Sequence, residues 1–162
     1  MNSLQPSSRH CFVCGVENPL GLHLKFYESE PGQVVAEYSL SEDYQGYPGV
    51  AHGGIVAAML DEGAGRALMG EVDAPRFMFT ARLNITYRKN VPVGQQLKLV
   101  GKAGESRGRT AKATSAIYDQ DGNLLAEADA LLINVPEQVL DSVDLAKLGW
   151  QVYPEEEDGA DR

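Results

Sequence analysis

The 162-residue chain has little cysteine, with Cys11 and Cys14 its only two, and a single tryptophan, Trp150. Two cysteines cannot make a disulfide scaffold. Spaced as CxxC they offer half of a zinc site, but no second pair follows. His10 and His23 lack zinc-ribbon spacing, and no βαβ pattern follows the motif as a thioredoxin-like centre requires. Structural thiols are expected, with no metal and no cofactor. Long apolar runs are also missing: nothing approaches the roughly 18 consecutive apolar residues of a spanning helix, and the N-terminus lacks a charged segment followed by an apolar one. The reading is of a cytoplasmic protein that does not bind membranes. Basic charge is scarce, 14 Lys and Arg against 23 Asp and Glu for a net of −9. That is the wrong sign for a general nucleic-acid binder, so any anionic ligand must meet a local cationic patch. Much of the excess lies in the last residues, where Glu155, Glu156, Glu157, Asp158 and Asp161 outweigh Arg162. A solvated, frayed tail is expected there.

Hydrophobic residues at 43% and charged residues at 23% place the chain among globular proteins of one domain. Neither a linker nor an internal repeat divides it. The expected layout is an irregular N-terminal segment over 1–21 packed on the domain, the domain itself over 22–135, and a C-terminal extension over 136–162. Leu22, Leu24 and Phe26 alternate with polar residues. The alternation resumes at Val34, Ala36, Tyr38 and Leu40 after Pro31-Gly32, which predicts a first hairpin. From Gly53 to about Met69, the run Ile55, Val56, Ala57, Ala58, Met59 and Leu60 leaves no polar face, which predicts a buried helix.

The period then changes to two. Phe79, Ala81, Leu83, Ile85 and Tyr87 are assigned to one face of a strand, and Thr80, Arg82, Asn84, Thr86 and Arg88 to the other. Further strands are expected over 95–103, 109–119 and 124–134. Small residues at Ala111, Ala113, Ala126, Ala128 and Ala130 would let a helix approach the sheet closely. The order predicts an α+β fold in which a curved antiparallel sheet wraps one long buried helix.

The densest chemical signal is Pro48-Gly49-Val50-Ala51-His52-Gly53-Gly54-Ile55 with Asp61 and Glu62 following. The glycine pair, Gly53 and Gly54, opens a helix with amides unhindered by side chains and aimed along the positive end of its dipole, which suits a carbonyl oxygen that becomes negative. Asp61 sits in an apolar stretch, where a carboxylate needs a partner or a cavity. Eight residues at about 1.5 Å each put Gly53 and Asp61 roughly 12 Å apart, beyond the reach of one carbonyl group. If both act, the second must come from another copy, with antiparallel helices across a two-fold axis. Glu62, about 100° around the helix from Asp61, is expected to pair with Arg66 instead. His10 and His23 are read as surface residues, and Trp150 and Tyr153 as packing residues.

The run HGG with an acid nine positions after the histidine resembles hotdog-fold acyl-CoA thioesterases of the PaaI type. The opening Cys11-Phe12-Val13-Cys14-Gly15 with Asn18-Pro19 and Gly21-Leu22 is similar to that superfamily too, as is Leu83-Asn84-Ile85-Thr86-Tyr87 with Pro92 and Gly94. The resemblance spans roughly 11–134. It implies hydrolysis of an acyl-CoA to a free acid and CoA by a metal-free homodimer or dimer of dimers, the coenzyme being part of the substrate. It implies that the Gly53 amide polarises the thioester carbonyl, that Asp61 is nucleophile or general base, and that His52 shapes the turn or contacts the thioester. Thr80 matches a Ser or Thr that orients the water or the carboxylate, and would reach the site only through an interface or a strand bulge. Gln45 matches an upstream amide residue, and Gly54 and Asn84 fall with the substrate-binding positions. Coenzyme A carries phosphates, and Arg107-Gly108-Arg109 at a strand turn fits them, the alternative being a solvated hairpin tip. The alternatives are a non-catalytic acyl-thioester binding protein, which has little reason to bury Asp61, and a hydratase, whose Asp and His spacing His52 does not provide.

Overall fold

The computed structural model describes residues 3–154; the acidic tail lies outside them. In chain order the elements are β1 (Ser3–Leu4), β2 (Tyr27–Glu30), β3 (Gln33–Ser39), a 3-10 turn (Glu42–Tyr44), β4 (Gln45–Tyr47), β5 (Val50–Ala51), α1 (Gly53–Ala67), β6 (Met78–Tyr87), β7 (Gln96–Arg107), β8 (Thr110–Asp119), β9 (Leu124–Asn134) and α2 (Glu137–Asp141). Seven strands form one antiparallel sheet in the order β1-β2-β3-β7-β8-β9-β6. Helix α1 packs across it, so the α+β architecture matches expectation. No helix among the described residues is long and apolar enough to cross a membrane.

The helix can lie close because its neighbours are small. Ala111, Ala113, Ala126, Ala128 and Ala130 are all buried beneath it. At the tightest point a Cβ on Gly101 would stand 2.0 Å from the Gly63 carbonyl oxygen, so only glycine fits. Ser115 Oγ donates to the Leu60 carbonyl at 2.6 Å, a second tie between sheet and helix. Val56, Met59 and Leu60 then fill the core with Leu97, Leu99 and Ile117. Gly101→Ala is expected to destabilise the fold by about 3 kcal/mol or more, because a methyl group overlaps backbone that has nowhere to move. Urea unfolding checks this, and a midpoint like that of the wild type would refute it.

Three expectations need correction. The first hairpin is shorter than the alternation suggests, because His23 adopts φ 57°, which breaks an extended path. Leu22, Leu24 and Phe26 are still buried, but Leu22 and Leu24 donate backbone hydrogen bonds to Phe12 and Val13 instead of to β3. The N-terminal segment is not wholly irregular either, since Ser3 and Leu4 form an edge strand on β2. Finally, α1 is not enclosed on all sides. Gly53 and Gly54 are exposed, and Ala57, Ala58, Asp61 and Gly65 continue a half-exposed strip at helical spacing.

Candidate active site

The HGG segment caps the helix in a specific way. His52 is extended at φ −60°, ψ 135°, and its Nδ1 accepts the Gly54 amide at 2.9 Å. Its proton, when the ring is neutral, therefore sits on Nε2. The next two amides, Ile55 and Val56, donate to the His52 carbonyl. That leaves the Gly53 amide as the helix-start donor with no hydrogen bond among the described residues. Gly54 is thus committed to the cap, and the pair of donors expected from the two glycines reduces to one. Tyr87 Oη donates to the Gly53 carbonyl at 2.7 Å and fixes the orientation of that peptide.

Eight residues on, Asp61 is half-buried and accepts a hydrogen bond from Thr80 Oγ1 at 2.6 Å. The contact exists because β6 carries one extra residue. Thr80 faces Leu132 and Arg82 faces Leu131 on β9, which leaves Ala81 unopposed as a β-bulge. The bulge resets the alternation. Met78 and Thr80 now share the helix side with Leu83, Ile85 and Tyr87, whereas Phe79, expected on that side, points outward beside Ile133 and is 55% exposed. Asn84, opposite Asp129, is likewise on the outer face, in a groove with Arg82 and Lys112, and is not brought together with Asp61.

Gln45 stands apart from Asp61. Its Oε1 accepts the Gly49 amide at 3.2 Å and closes the loop before the helix, while the His52 amide donates to the Tyr44 carbonyl. Arg107 and Arg109 flank Gly108, whose φ of 58° makes the β7–β8 turn, and both are exposed. The link from this turn to Asp61 is Arg76, which sequence reasoning missed. Its guanidinium donates to Asn134 Oδ1 and Ser106 Oγ at 2.8 Å each and to the Gly108 carbonyl at 3.4 Å. Arg76 lies in an irregular loop with no periodicity to mark it, and it lines the same cavity as Asp61 and Thr80.

That cavity runs from Asp61 and Thr80 past Met78 and Phe77 to Cys11, Cys14 and Trp150. Phe77 and Trp150 meet edge to face at 5.2 Å, so Trp150 packs as expected, though on a cavity wall and not on the outer surface. Arg66 is 3% exposed and stands between the rings of Phe26 and Trp150. Its Nε donates to Glu62 Oε1 at 2.8 Å, the i,i+4 pair anticipated from the sequence. Burial is the largest single influence and works against its charge, but the Glu62 carboxylate and the Cys14 sulfur together outweigh it and raise its affinity for the proton. Among the described residues, Cys11, Cys14 and Glu62 alone place three possible metal donors within 4.8 Å of one another. The cation facing them is the Arg66 guanidinium, so these residues do not argue for a metal.

One long helix across an antiparallel sheet, entered through a histidine-capped glycine and carrying a half-buried acid, defines the hotdog fold. Residues 48–126 match the thioesterase superfamily. The crystal structure of the thioesterase superfamily protein RHA08564 superposes with a TM-score of 0.70 at 30% identity, over 77% of this chain and 63% of that one. A Streptococcus mutans protein crystallised with acetyl CoA superposes at 0.62 with 20% identity, over 69% of this chain and 88% of that one, a likeness of fold. In sequence, the acyl-coenzyme A thioesterase THEM4 of Mus musculus is 31% identical over 139 residues, covering 84% of this chain and 59% of the relative. Its Rattus norvegicus counterpart is 29% identical over 133 residues, covering 81% and 56%. The chain spans little more than half the length of these curated relatives. Residues 48–126 thus carry the match to the thioesterase superfamily, and the likeness in sequence and fold extends over most of the chain.

Proposed function

We propose that the protein hydrolyses acyl-CoA thioesters to a free acid and CoA, as a hotdog thioesterase of the PaaI type acting at least as a homodimer. The observation that carries this reading is the Thr80–Asp61 hydrogen bond on the wall of a cavity. By donating to Oδ1, Thr80 orients the carboxylate and leaves Oδ2 free to act. Asp61 then either attacks the carbonyl carbon, forming an anhydride that water cleaves, or removes a proton from the attacking water. In both routes the carbonyl oxygen becomes negative, the Gly53 amide stabilises it, and the CoA thiolate leaves.

The two groups belong to different copies of the chain. They lie about 12 Å apart along one helix, and the half-exposed strip of α1 that bears Asp61 is where a second helix would pack. Strand β6 supports the same assembly. It is the sheet edge, ten residues long, with Phe79 and Tyr87 more than half exposed. Such an edge calls for a cover, and pairing with a second β6 supplies one. Antiparallel helices across the two-fold bring Gly53 of one copy to Asp61 of the other. Neither metal nor cofactor is needed for this chemistry.

A panel of acyl-CoAs assayed for thiol release tests the activity; tight binding without release would leave a binding protein instead. The Arg107–Gly108–Arg109 turn, tied to the cavity wall through Arg76, is assigned to the phosphates of CoA. Replacing Arg107 and Arg109 by Ala is expected to raise KM for CoA esters about tenfold and to flatten its salt dependence. Short thioesters without the nucleotide should react as before; equal losses on both would mean that the turn acts through the fold.

A further inference from the structure

The proposed hydrolysis leaves Cys11 and Cys14 without a task, and their surroundings differ from those of inert thiols. The Cys14 backbone amide donates to Cys11 Sγ at 3.5 Å, and both sulfurs lie within 4.8 Å of each other and of the Glu62 carboxylate. Cys11 is half-buried and Cys14 buried, on the wall of the cavity that Asp61 and Thr80 also line. Of the two, Cys11 is the more accessible. Donation from the Cys14 thiol and from the amides of Cys14 and Val13 holds Cys11 down at about 6, against its burial and the Glu62 charge. Sharing its proton with Cys11, together with burial, pushes Cys14 up. The Arg66 guanidinium beside Cys14 opposes that rise. One accessible thiolate beside one deeper thiol is the division of labour that disulfide exchange requires.

We propose that Cys11 and Cys14 form a thiol–disulfide exchange site for low-molecular-weight disulfides, with Cys11 attacking and Cys14 resolving. In the first step the Cys11 thiolate attacks a sulfur of the small disulfide RSSR. The Cys11–SR bond forms, the S–S bond of RSSR breaks, and RS⁻ leaves. In the second, Cys14 loses its proton and attacks Cys11 Sγ. The intramolecular disulfide forms, the Cys11–SR bond breaks, and the second RS⁻ leaves, one of the two thiolates taking up the Cys14 proton. The protein dithiol is oxidised by two electrons and RSSR is reduced to two thiols.

The test uses the reduced full chain and oxidised glutathione. Because the chain has only these two cysteines, intact mass assigns every product. The wild type is expected to lose both titratable thiols and the mass of two hydrogens, with no glutathione retained and no covalent dimer. Cys14→Ser and Cys14→Ala should trap one glutathione on Cys11. Cys11→Ser should react at least about 10-fold more slowly than wild type. Retention of both thiols in the wild type while a small dithiol in the same solution is consumed would overturn the proposal. So would a stable glutathione adduct on the wild type, a disulfide between chains, or an equally fast reaction of Cys11→Ser. The wild-type result does not depend on whether any variant folds.

Discussion

Asp61→Asn is expected to lower turnover by about 10²-fold or more, equivalent to some 2.7 kcal/mol of transition-state stabilisation. The replacement keeps the shape of the side chain and can still accept from Thr80 Oγ1, so the unfolding midpoint should stay near that of the wild type. What it removes is the charge that attacks the thioester or takes a proton from water, in either route. Steady-state thiol release over a range of acyl-CoA concentrations separates the cases. A fall in kcat with KM little changed is expected; activity within a few-fold of wild type would remove Asp61 from the chemistry. Thr80 serves as an internal comparison, since it reaches the thioester only through the carboxylate that it orients.

Mixing two inactive variants is expected to restore roughly a quarter of wild-type activity. The first is Asp61→Asn; the second is Gly53→Pro, which deletes the amide proposed to bind the oxyanion. Proline fits there on three counts. Gly53 is the first residue of α1, where proline is favoured; His52 already has the extended conformation that a following proline demands; and a Cβ at 53 meets Tyr87 at 3.5 Å or more. Each homodimer then lacks one half of both sites. Random reassortment of equal amounts gives about half mixed dimers, each with one whole site of two, hence the quarter. Native mass spectrometry establishes that subunits have exchanged. Exchanged dimers without activity would mean that each chain carries its own complete site, and the 12 Å separation would then have to be bridged by some other donor.

Much of this arrangement is legible in the sequence, for reasons that can be located. The helix, expected from Gly53 to about Met69 and found over Gly53–Ala67, is marked by a glycine start and an unbroken apolar run. The small residues of β8 and β9 announce a close helix, and the pairing of Glu62 with Arg66 follows from helical spacing alone. The distance from Gly53 to Asp61 needs only the rise of a helix. What strict alternation cannot show is an inserted residue: the bulge at Ala81 turns Thr80 toward Asp61 and Phe79 away, and so parts Thr80 from Asn84, which keeps the face opposite Leu83 and Ile85 that alternation gave it. Nor does a local pattern reveal tertiary partners. Arg76 lies in a loop with no periodicity, and the hydrogen bond from Tyr87 to Gly53 joins residues 34 positions apart. His23 misled the hairpin assignment because its left-handed backbone interrupts a segment whose apolar residues still alternate.

The contact between Gly63 and Gly101 and the bond from Ser115 to Leu60 hold α1 against sliding along its own axis. In a two-fold assembly with antiparallel helices, any slide is duplicated. If each helix moves by a given distance toward its own C-terminus, Gly53 of one copy and Asp61 of the other shift in opposite senses, and their offset changes by twice that distance. Symmetry therefore acts as a lever on errors in alignment. A displacement of about half an ångström in one interior becomes about one ångström across the site, a misplacement that costs an enzyme on the order of 10²-fold in rate. The interior of each subunit, far from any substrate, thereby sets the tolerance of both catalytic centres.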